Sequence, residues 1–407
     1  MAAADPERAI RDFLPARPKG RTVVIGAGKG SAQLAAAFEK AWDGPLEGLV
    51  VTRYGYGAPC RRIEVIEAAH PVPDEAGFAA AKRLFQSVAG LTCDDLVVAL
   101  VSGGGSALLP SPPEGMSLAD EIAVNEALLA SGAPIAAMNT VRKHLSTIKG
   151  GRLALAAHPA RVVSLVVSDI PGDNPAFVAS GPTVADHAGR QEALDIVKAW
   201  GLKLPEAALR HLASPTADAP SPDDPRLGRN AVHVIASAAR SLEAAAEEAR
   251  RRGIEPAILS DAIEGEAREV AGVHAAIARE VAARNRPFTK PVLLLSGGET
   301  TVTIRGKGGK GGRNSEFLLA FAVAVEGVAG IHAFAADTDG IDGSQDNAGA
   351  FADFSSAGRM RAAGVDPKAA LARNDAWTAF DAVGDLFAPG PTGTNVNDLR
   401  AILIRRQ

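Results

Sequence analysis

Residues 94–109 read DDLVVALVSGGGSALL. Leu96 to Val101 form an unbroken apolar run that stops at Ser-Gly-Gly-Gly-Ser. A strand buried on both faces shows such a run, because neither side needs polar residues. RTVVIGAGKG (21–30), EGLVVTRYG (47–55), RIEVIEAAH (62–70) and RVVSLVVSDIPGD (161–173) have the same character. Between them lie SAQLAAAFEKAW (31–42) and DEAGFAAAKRLFQSVAG (74–90), with apolar residues at helical spacing. Buried strands alternating with helices predict a parallel sheet covered on both sides, a doubly wound Rossmann-like α/β domain.

The segment ASPTADAPSPDDPRLGRN (213–230) is rich in Pro, Asp and Ser and reads as a linker. The boundary is placed at 228, giving an N-terminal Rossmann-like domain over 1–228 and a second α/β domain over 229–407. Strands of the second are expected at AVHVIAS (231–237), EPAILSD (255–261), PVLLLSGG (291–298), TTVTIRG (300–306) and IHAFAADTDG (331–340). Between the last two, a glycine-lysine run, GKGGKGG (306–312), reads as a mobile loop.

The chain has 407 residues, 43 Lys plus Arg against 47 Asp plus Glu, and a net charge of −4. That balance carries no general footprint for nucleic acid, so a small anionic substrate needs a local positive site. Two cysteines form no disulfide framework and fit a reducing compartment. The N-terminal stretch lacks the apolar core of a signal peptide. No apolar run reaches the roughly 18 residues of a membrane span. A cytoplasmic protein with a small-molecule substrate and no membrane partner is expected. The oligomeric state is left open, a homodimer included.

Each motif has a plain structural reading beside a functional one. Gly26, Gly28 and Gly30 turn a strand into a helix, whose free amides suit an anion. The dinucleotide fingerprint is broken, since Ser31 stands where its last glycine belongs, and the next strand ends in Thr52-Arg53 rather than an acid. Lys29 inside the turn favours a phosphate or carboxylate over a simple tight turn. Ser102, Gly103, Gly104, Gly105 and Ser106 form an amide nest suited to phosphate oxygens. MNTVRKHLSTIKGGRLA (138–154) reads as a helix closed by Gly150-Gly151, with Asn139, Arg142 and Ser146 on one face. Asn139 is assigned to phosphates and Arg142 to substrate; a solvated basic face is the competing reading. Asp169 ends a buried strand, where ligands of open α/β sheets bind. Ser180, Gly181 and Thr183 offer a further hydroxyl-and-amide corner.

In the C-terminal half, Ser296, Gly297, Gly298 and Glu299 form a second strand-to-glycine turn, assigned to substrate. Arg313 is a candidate clamp for carboxylate or phosphate. Asp337, Asp339, Asp342 and Asp346 crowd ten residues, but Ile341, Asp342 and Ala348 break the calcium-loop pattern. PTGTNVNDL (391–399) reads as a turn leading to a helix cap.

GAGKGS, HPVPDEAG, LVSGGGSALL, NTVRKHLSTIKGGRLA, SDIPGDNPAFVASGPT, SGGETTV, GGRNSEF, DTDGIDG and TGTNVNDL occur in this order across residues 5–403. Together they closely resemble the class II glycerate 2-kinases, whose C-terminal part is the MOFRL domain. The resemblance implies two α/β domains with the active site in the cleft between them. It implies transfer of phosphate from ATP, with Mg²⁺, to the 2-hydroxyl of D-glycerate. The positions matching the family's proposed active site are Lys29, Arg313, Asp169 and Asp339. Asp337 stands where the family usually has glycine and is a candidate metal ligand beside Asp169. Family members are often labelled hydroxypyruvate reductases, so an NAD(P)H-dependent reductase is the alternative, and a non-catalytic sugar-acid sensor the third reading.

Overall fold

A computed structural model describes residues 2–304 and 307–406. Arg305 and Gly306, where the expected mobile loop begins, lie outside the described residues. The chain forms two compact units: Pro6–Ile235, and the residues from Ala236 onward together with those up to Asp5.

The N-terminal unit is built on β1 (Thr22–Ala27), β2 (Glu47–Arg53), β3 (Ile63–Ala68), β4 (Leu96–Ser102), β5 (Arg161–Val167) and β6 (Ala231–Ala236). Their order is β3-β2-β1-β4-β5-β6, with β3 through β5 parallel. Every residue of β1 and of β4 is buried. Side chains of a strand alternate between faces, so both faces of the sheet are covered. One face packs Val23, Ile25, Val97 and Ala99 against Ala80, Leu84 and Val88 of the helix Glu75–Val88. That helix starts where Asp74 accepts the Gly77 amide at 3.0 Å.

This order reverses direction between β1 and β4. Crevices at such a switch point, outside the carboxyl ends of the strands, are where ligands of open α/β sheets bind.

The strand over Ala231–Ala236 belongs to this first sheet, although the sequence reading starts the second domain with it. The Pro- and Asp-rich segment before it is short of apolar residues but is fastened by hydrogen bonds. Arg152 donates to the Ala217 carbonyl at 2.9 Å and to that of Asp218 at 3.0 Å, and Asn230 accepts the Val162 amide at 2.9 Å.

The second unit contains β7 (Glu255–Ser260), β8 (Gly265–Glu266), β9 (Val292–Gly298), β10 (Thr300–Thr301), β11 (Ile331–Asp337), β12 (Gly349–Asp353), β13 (Leu386–Phe387) and β14 (Asp398–Ile404). Its main sheet is mixed, in the order β13-β12-β11-β14-β9-β7, with only β7 and β9 parallel. Of the expected strand over 300–306, the described residues form only the two of β10, paired with β8. The expected helix cap after residue 391 is instead the start of β14, in the middle of the sheet.

Candidate active site

In the N-terminal unit, the loops after β1 and β4 are tied together across the switch point. The Lys29 amide donates to the Gly103 carbonyl at 2.8 Å. The Gly30 amide donates to Ser102 Oγ at 3.0 Å. Gly28 has a φ of 145°, and a Cβ there would lie 2.2 Å from Ser102 Oγ. Only glycine tolerates both the conformation and the approach. Ser102 is therefore buried and occupied by the neighbouring loop, so it braces the nest rather than lining it. Asp169, just beyond β5, fills the space beside Gly103: a Cβ on Gly103 would fall 1.7 Å from Asp169 Oδ2. A Cβ on Gly104 would lie 3.0 Å from Lys29 Cγ and 2.9 Å from His70 Nε2. The structure thus gathers Lys29, Gly103, Gly104 and Asp169 at adjacent strand ends.

A second corner adjoins this nest. Ala179, Ser180 and Gly181 have φ values of 53°, 59° and 60°. The left-handed region costs a residue with a Cβ about 1–2 kcal/mol. Hydrogen bonds hold it here: the Gly150 amide to the Ser180 carbonyl at 3.0 Å, and the Gly151 amide to Gly181 at 2.7 Å. Ser180 Oγ lies 3.0 Å from Ser106 Oγ and 2.9 Å from Asn139 Oδ1. Asn139 donates to the Phe177 carbonyl at 3.1 Å. Ser106, Asn139 and Ser180 are thus one network beside the glycine turn.

Thr183 is not part of it; its hydroxyl meets Ser164, inside β5, at 2.8 Å. The expected helix does not run on to Gly150-Gly151: it ends at His144, with Leu145 as its cap, and a separate short helix starts at Arg152 after the two left-handed glycines. Ser146 leaves the common face. Arg142 donates to Asn125 at 2.8 Å and faces the helix Leu118–Ser131 rather than a ligand site. The basic stripe is not solvated either: Lys143 and Lys149 are buried, paired with Asp186 and Glu121.

In the C-terminal unit, Arg313 opens the helix Arg313–Ala324. Its Nε donates to Asp398 at 2.8 Å and its Nη2 to Asp337 at 2.6 Å, while Nη1 lies 3.4 Å from Glu299. The Glu299 side chain is 57% exposed, so this contact alone can be exchanged for an incoming anion. Burial pulls the guanidinium pKa down, but Asp398, Asp337 and Glu299 outweigh it and drive it above its usual value. Burial pushes the Asp337 carboxyl far up, with Asp339 and Asp398 adding to the rise against the pull of Arg313. Asp398 also receives Arg400, which is fully buried, at 2.6 Å. Asp342 caps the helix, accepting the Asn314 amide at 2.9 Å and the Ser315 amide at 2.8 Å. A cavity of about 620 Å³ opens beside these groups, lined by Glu299, Thr300, Lys307, Arg313, Glu316 and Asn374 among others.

Ser296 is not brought to this cavity. Its hydroxyl is buried 3.0 Å from His274 Nε2, a packing pair sealed from solvent. Gly297 and Gly298 are buried in β9, so of the Ser-Gly-Gly-Glu turn only Glu299 faces the cavity. Asp337 is engaged by Arg313 and by the Asp339 amide at 3.1 Å, so both of its oxygens already accept protein donors. Among the described residues no three His, Cys, Asp or Glu side chains gather to hold a metal. No helix of the described residues is long and apolar enough to cross a membrane. His70, Asp398 and Arg400 were not singled out from the sequence. His70 lies within the quoted HPVPDEAG motif and Asp398 within TGTNVNDL, the signals that could have found them; no local pattern marks Arg400.

The fold and its loops define a two-unit α/β protein with a cation-bearing glycine crevice at the switch point of its first sheet. Residues 1–213 match the domain of unknown function DUF4147, and residues 292–398 match the MOFRL family. A putative hydroxypyruvate reductase of Agrobacterium vitis is 53% identical over 99% of this chain and 92% of its own. The D-glycerate 2-kinase of Thermotoga maritima is 39% identical over 98% of this chain and 94% of its own. The crystal structure of a Thermotoga maritima glycerate kinase superposes with a TM-score of 0.89 at 38% identity, over 99% of this chain and 96% of that one. The chain belongs to the class II glycerate 2-kinase family with its C-terminal MOFRL domain.

Proposed function

We propose that the protein transfers the γ-phosphoryl group of ATP to the 2-hydroxyl of D-glycerate, giving 2-phospho-D-glycerate and ADP. The observation that carries this reading is Lys29 poised over the Ser-Gly-Gly-Gly-Ser turn at the switch point, in a chain whose relatives from Thermotoga maritima and Pyrococcus horikoshii, matched over 98% of its length, are named glycerate 2-kinases. Phosphoryl transfer needs positioning and charge neutralisation more than covalent chemistry. The amides of Gly103 to Gly105 receive phosphate oxygens, and Lys29 offsets the charge that develops on the transferred group. Ser106, Asn139 and Ser180 extend the same wall. Arg313 takes the glycerate carboxylate by releasing Glu299, and Asp339 orients the 2-hydroxyl.

Mg²⁺ bound with a nucleotide usually takes only one or two protein carboxylates. Asp169, beside Gly103, fits that need, and the ion would supply charge neutralisation between the phosphates. A cytoplasmic setting goes with this reading, supported by two cysteines left free. The reductase alternative rests on the name of the Agrobacterium vitis relatives. Arg53 at the end of β2 would suit the 2′-phosphate of NADPH; against the reductase, Ser31 breaks the dinucleotide glycine fingerprint.

The test is an assay with ATP, Mg²⁺ and D-glycerate in which the product is identified as 2- or 3-phosphoglycerate, beside one with NADPH and hydroxypyruvate. Formation of 2-phosphoglycerate supports the kinase. NADPH oxidation with no phosphorylated product overturns it.

A further inference from the structure

Three neighbouring strands of the first sheet each end in a group that carries or can take up positive charge. Lys29 follows β1, Arg53 closes β2, and His70 lies two residues beyond β3. The strands are parallel and adjacent, so the three side chains leave the same edge. The glycine turn after β4 completes the row. His70 Nε2 and the Lys29 stem both stand over Gly104, within 3.0 Å of where its Cβ would be. The Arg53 guanidinium is laid over the Tyr56 ring, 3.6 Å from its centroid, which limits its freedom without neutralising it. Among the described residues no side-chain hydrogen bond or ion pair engages Lys29 Nζ, the Arg53 guanidinium or the His70 ring. Elsewhere in this unit buried cations have acids: Lys143 has Asp186 and Lys149 has Glu121.

We propose that His70 and Arg53 are further ligands of the nucleotide's phosphate chain, forming with Lys29 a three-sided clamp over the Ser-Gly-Gly-Gly-Ser turn. The nature of the anion rests on the kinase reading given above. A multiply charged phosphate suits two permanent cations better than a single carboxylate does. His70 then acts as an adjustable third donor. Its pKa falls to about 4, first through burial and then through the fields of Lys29 and Arg53, so the empty clamp holds it neutral. An anion that offsets those two fields raises the pKa, and the imidazole takes a proton from solvent and donates from Nε2.

The experiment is an NMR pH titration of the histidine rings in the full chain between pH 5 and 8. The His70 signal is assigned by its loss in His70→Gln. Separate arms contain no ligand, inorganic pyrophosphate, ADP, or D-glycerate. The free protein is expected to show no His70 transition above pH 5. Pyrophosphate and ADP should raise its midpoint by a unit or more, and D-glycerate should not. In parallel, Arg53→Gln and His70→Gln should raise KM for ATP roughly tenfold, with KM for glycerate within about twofold of wild type.

An unchanged midpoint under saturating pyrophosphate and ADP overturns the clamp, even if the wild type makes 2-phosphoglycerate. A response to D-glycerate but not pyrophosphate also overturns it. A response to pyrophosphate in a protein that phosphorylates no glycerate supports the clamp and sinks the kinase reading instead.

Discussion

Arg313 and Asp398 are bonded at 2.8 Å, and the other oxygen of Asp398 is held at 2.6 Å by Arg400. The guanidinium expected to clamp substrate is thus also a structural tie between the helix Arg313–Ala324 and the first residue of β14. Removing it leaves Asp337 and Asp398 buried with one cation fewer. Breaking a buried pair from one side costs about 3–5 kcal/mol. Arg313→Ala is therefore expected to lower the urea midpoint as well as activity. Arg313→Lys keeps the charge but not the fork. It should keep most of the stability while kcat/KM for glycerate falls roughly tenfold or more. Denaturation and kinetics on both variants separate the two roles; equal stability of Arg313→Ala and wild type would refute the tie.

Lys29 is a contrasting case. Its backbone is held by Gly103 and Thr52, but no side-chain partner depends on its ammonium. Lys29→Met keeps the stem that packs on Gly104. Stability is expected to stay within about 0.5 kcal/mol of wild type, while kcat falls roughly a hundredfold or more. A thermal melt with a steady-state assay checks this, and retention of wild-type kcat would remove Lys29 from the chemistry.

Gly103 has room for nothing larger, since its missing Cβ points at Asp169 Oδ2 only 1.7 Å away. Gly103→Ala must move the Asp169 carboxylate. If Asp169 meets the nucleotide-bound cation, the variant should need several times more Mg²⁺ for half-maximal rate. A titration of rate against Mg²⁺ reads this directly, and an unchanged Mg²⁺ requirement would exclude Asp169 from that role.

His144 is fully buried, with Nδ1 2.7 Å from the Thr140 carbonyl and Nε2 without a partner. Burial depresses its pKa to about 4, with Lys143 and Arg152 adding to the fall and the Thr140 carbonyl opposing it. A folded pKa below the unfolded one means that stability is fully present above about pH 6.5 and is lost as pH falls toward 4. Between pH 7 and 5 this group should cost about 2 kcal/mol. His144→Gln should have a flatter stability curve over that interval, even if it is less stable at pH 7. Urea unfolding at the two pH values decides it; parallel curves for variant and wild type would contradict the assignment.

Much of the first sheet was legible because its strands are fully buried: Leu96 to Val101 must be apolar on both sides, and the chain writes that as a continuous run. The glycine turns were legible for a related reason. Gly28 and Gly103 answer to contacts that no Cβ could share, so the residue type itself records the close approach. Ala231–Ala236 was misassigned because a strand's own residues do not say which sheet receives it. The hydrogen bonds that dock the preceding segment come from Arg152 and Val162, far away in sequence.

The side-chain pairings were the least legible part. Ser296 looked like a ligand-facing hydroxyl until the helix Ala267–Arg284 set His274 against it. PTGTNVNDL looked like a turn into a helix until β14 carried its Asp398 to Arg313, 85 residues away in sequence. The sequence by itself determined the alternation of buried strands and helices, the glycine turns and the cation within the first of them. All of these follow from local burial and backbone freedom. The tertiary structure alone decided which of those groups face a crevice, which carboxylates hold Arg313, and that Lys29, Arg53 and His70 share one edge. Those relationships depend on strand order and on pairings between residues distant along the chain, which periodicity cannot encode.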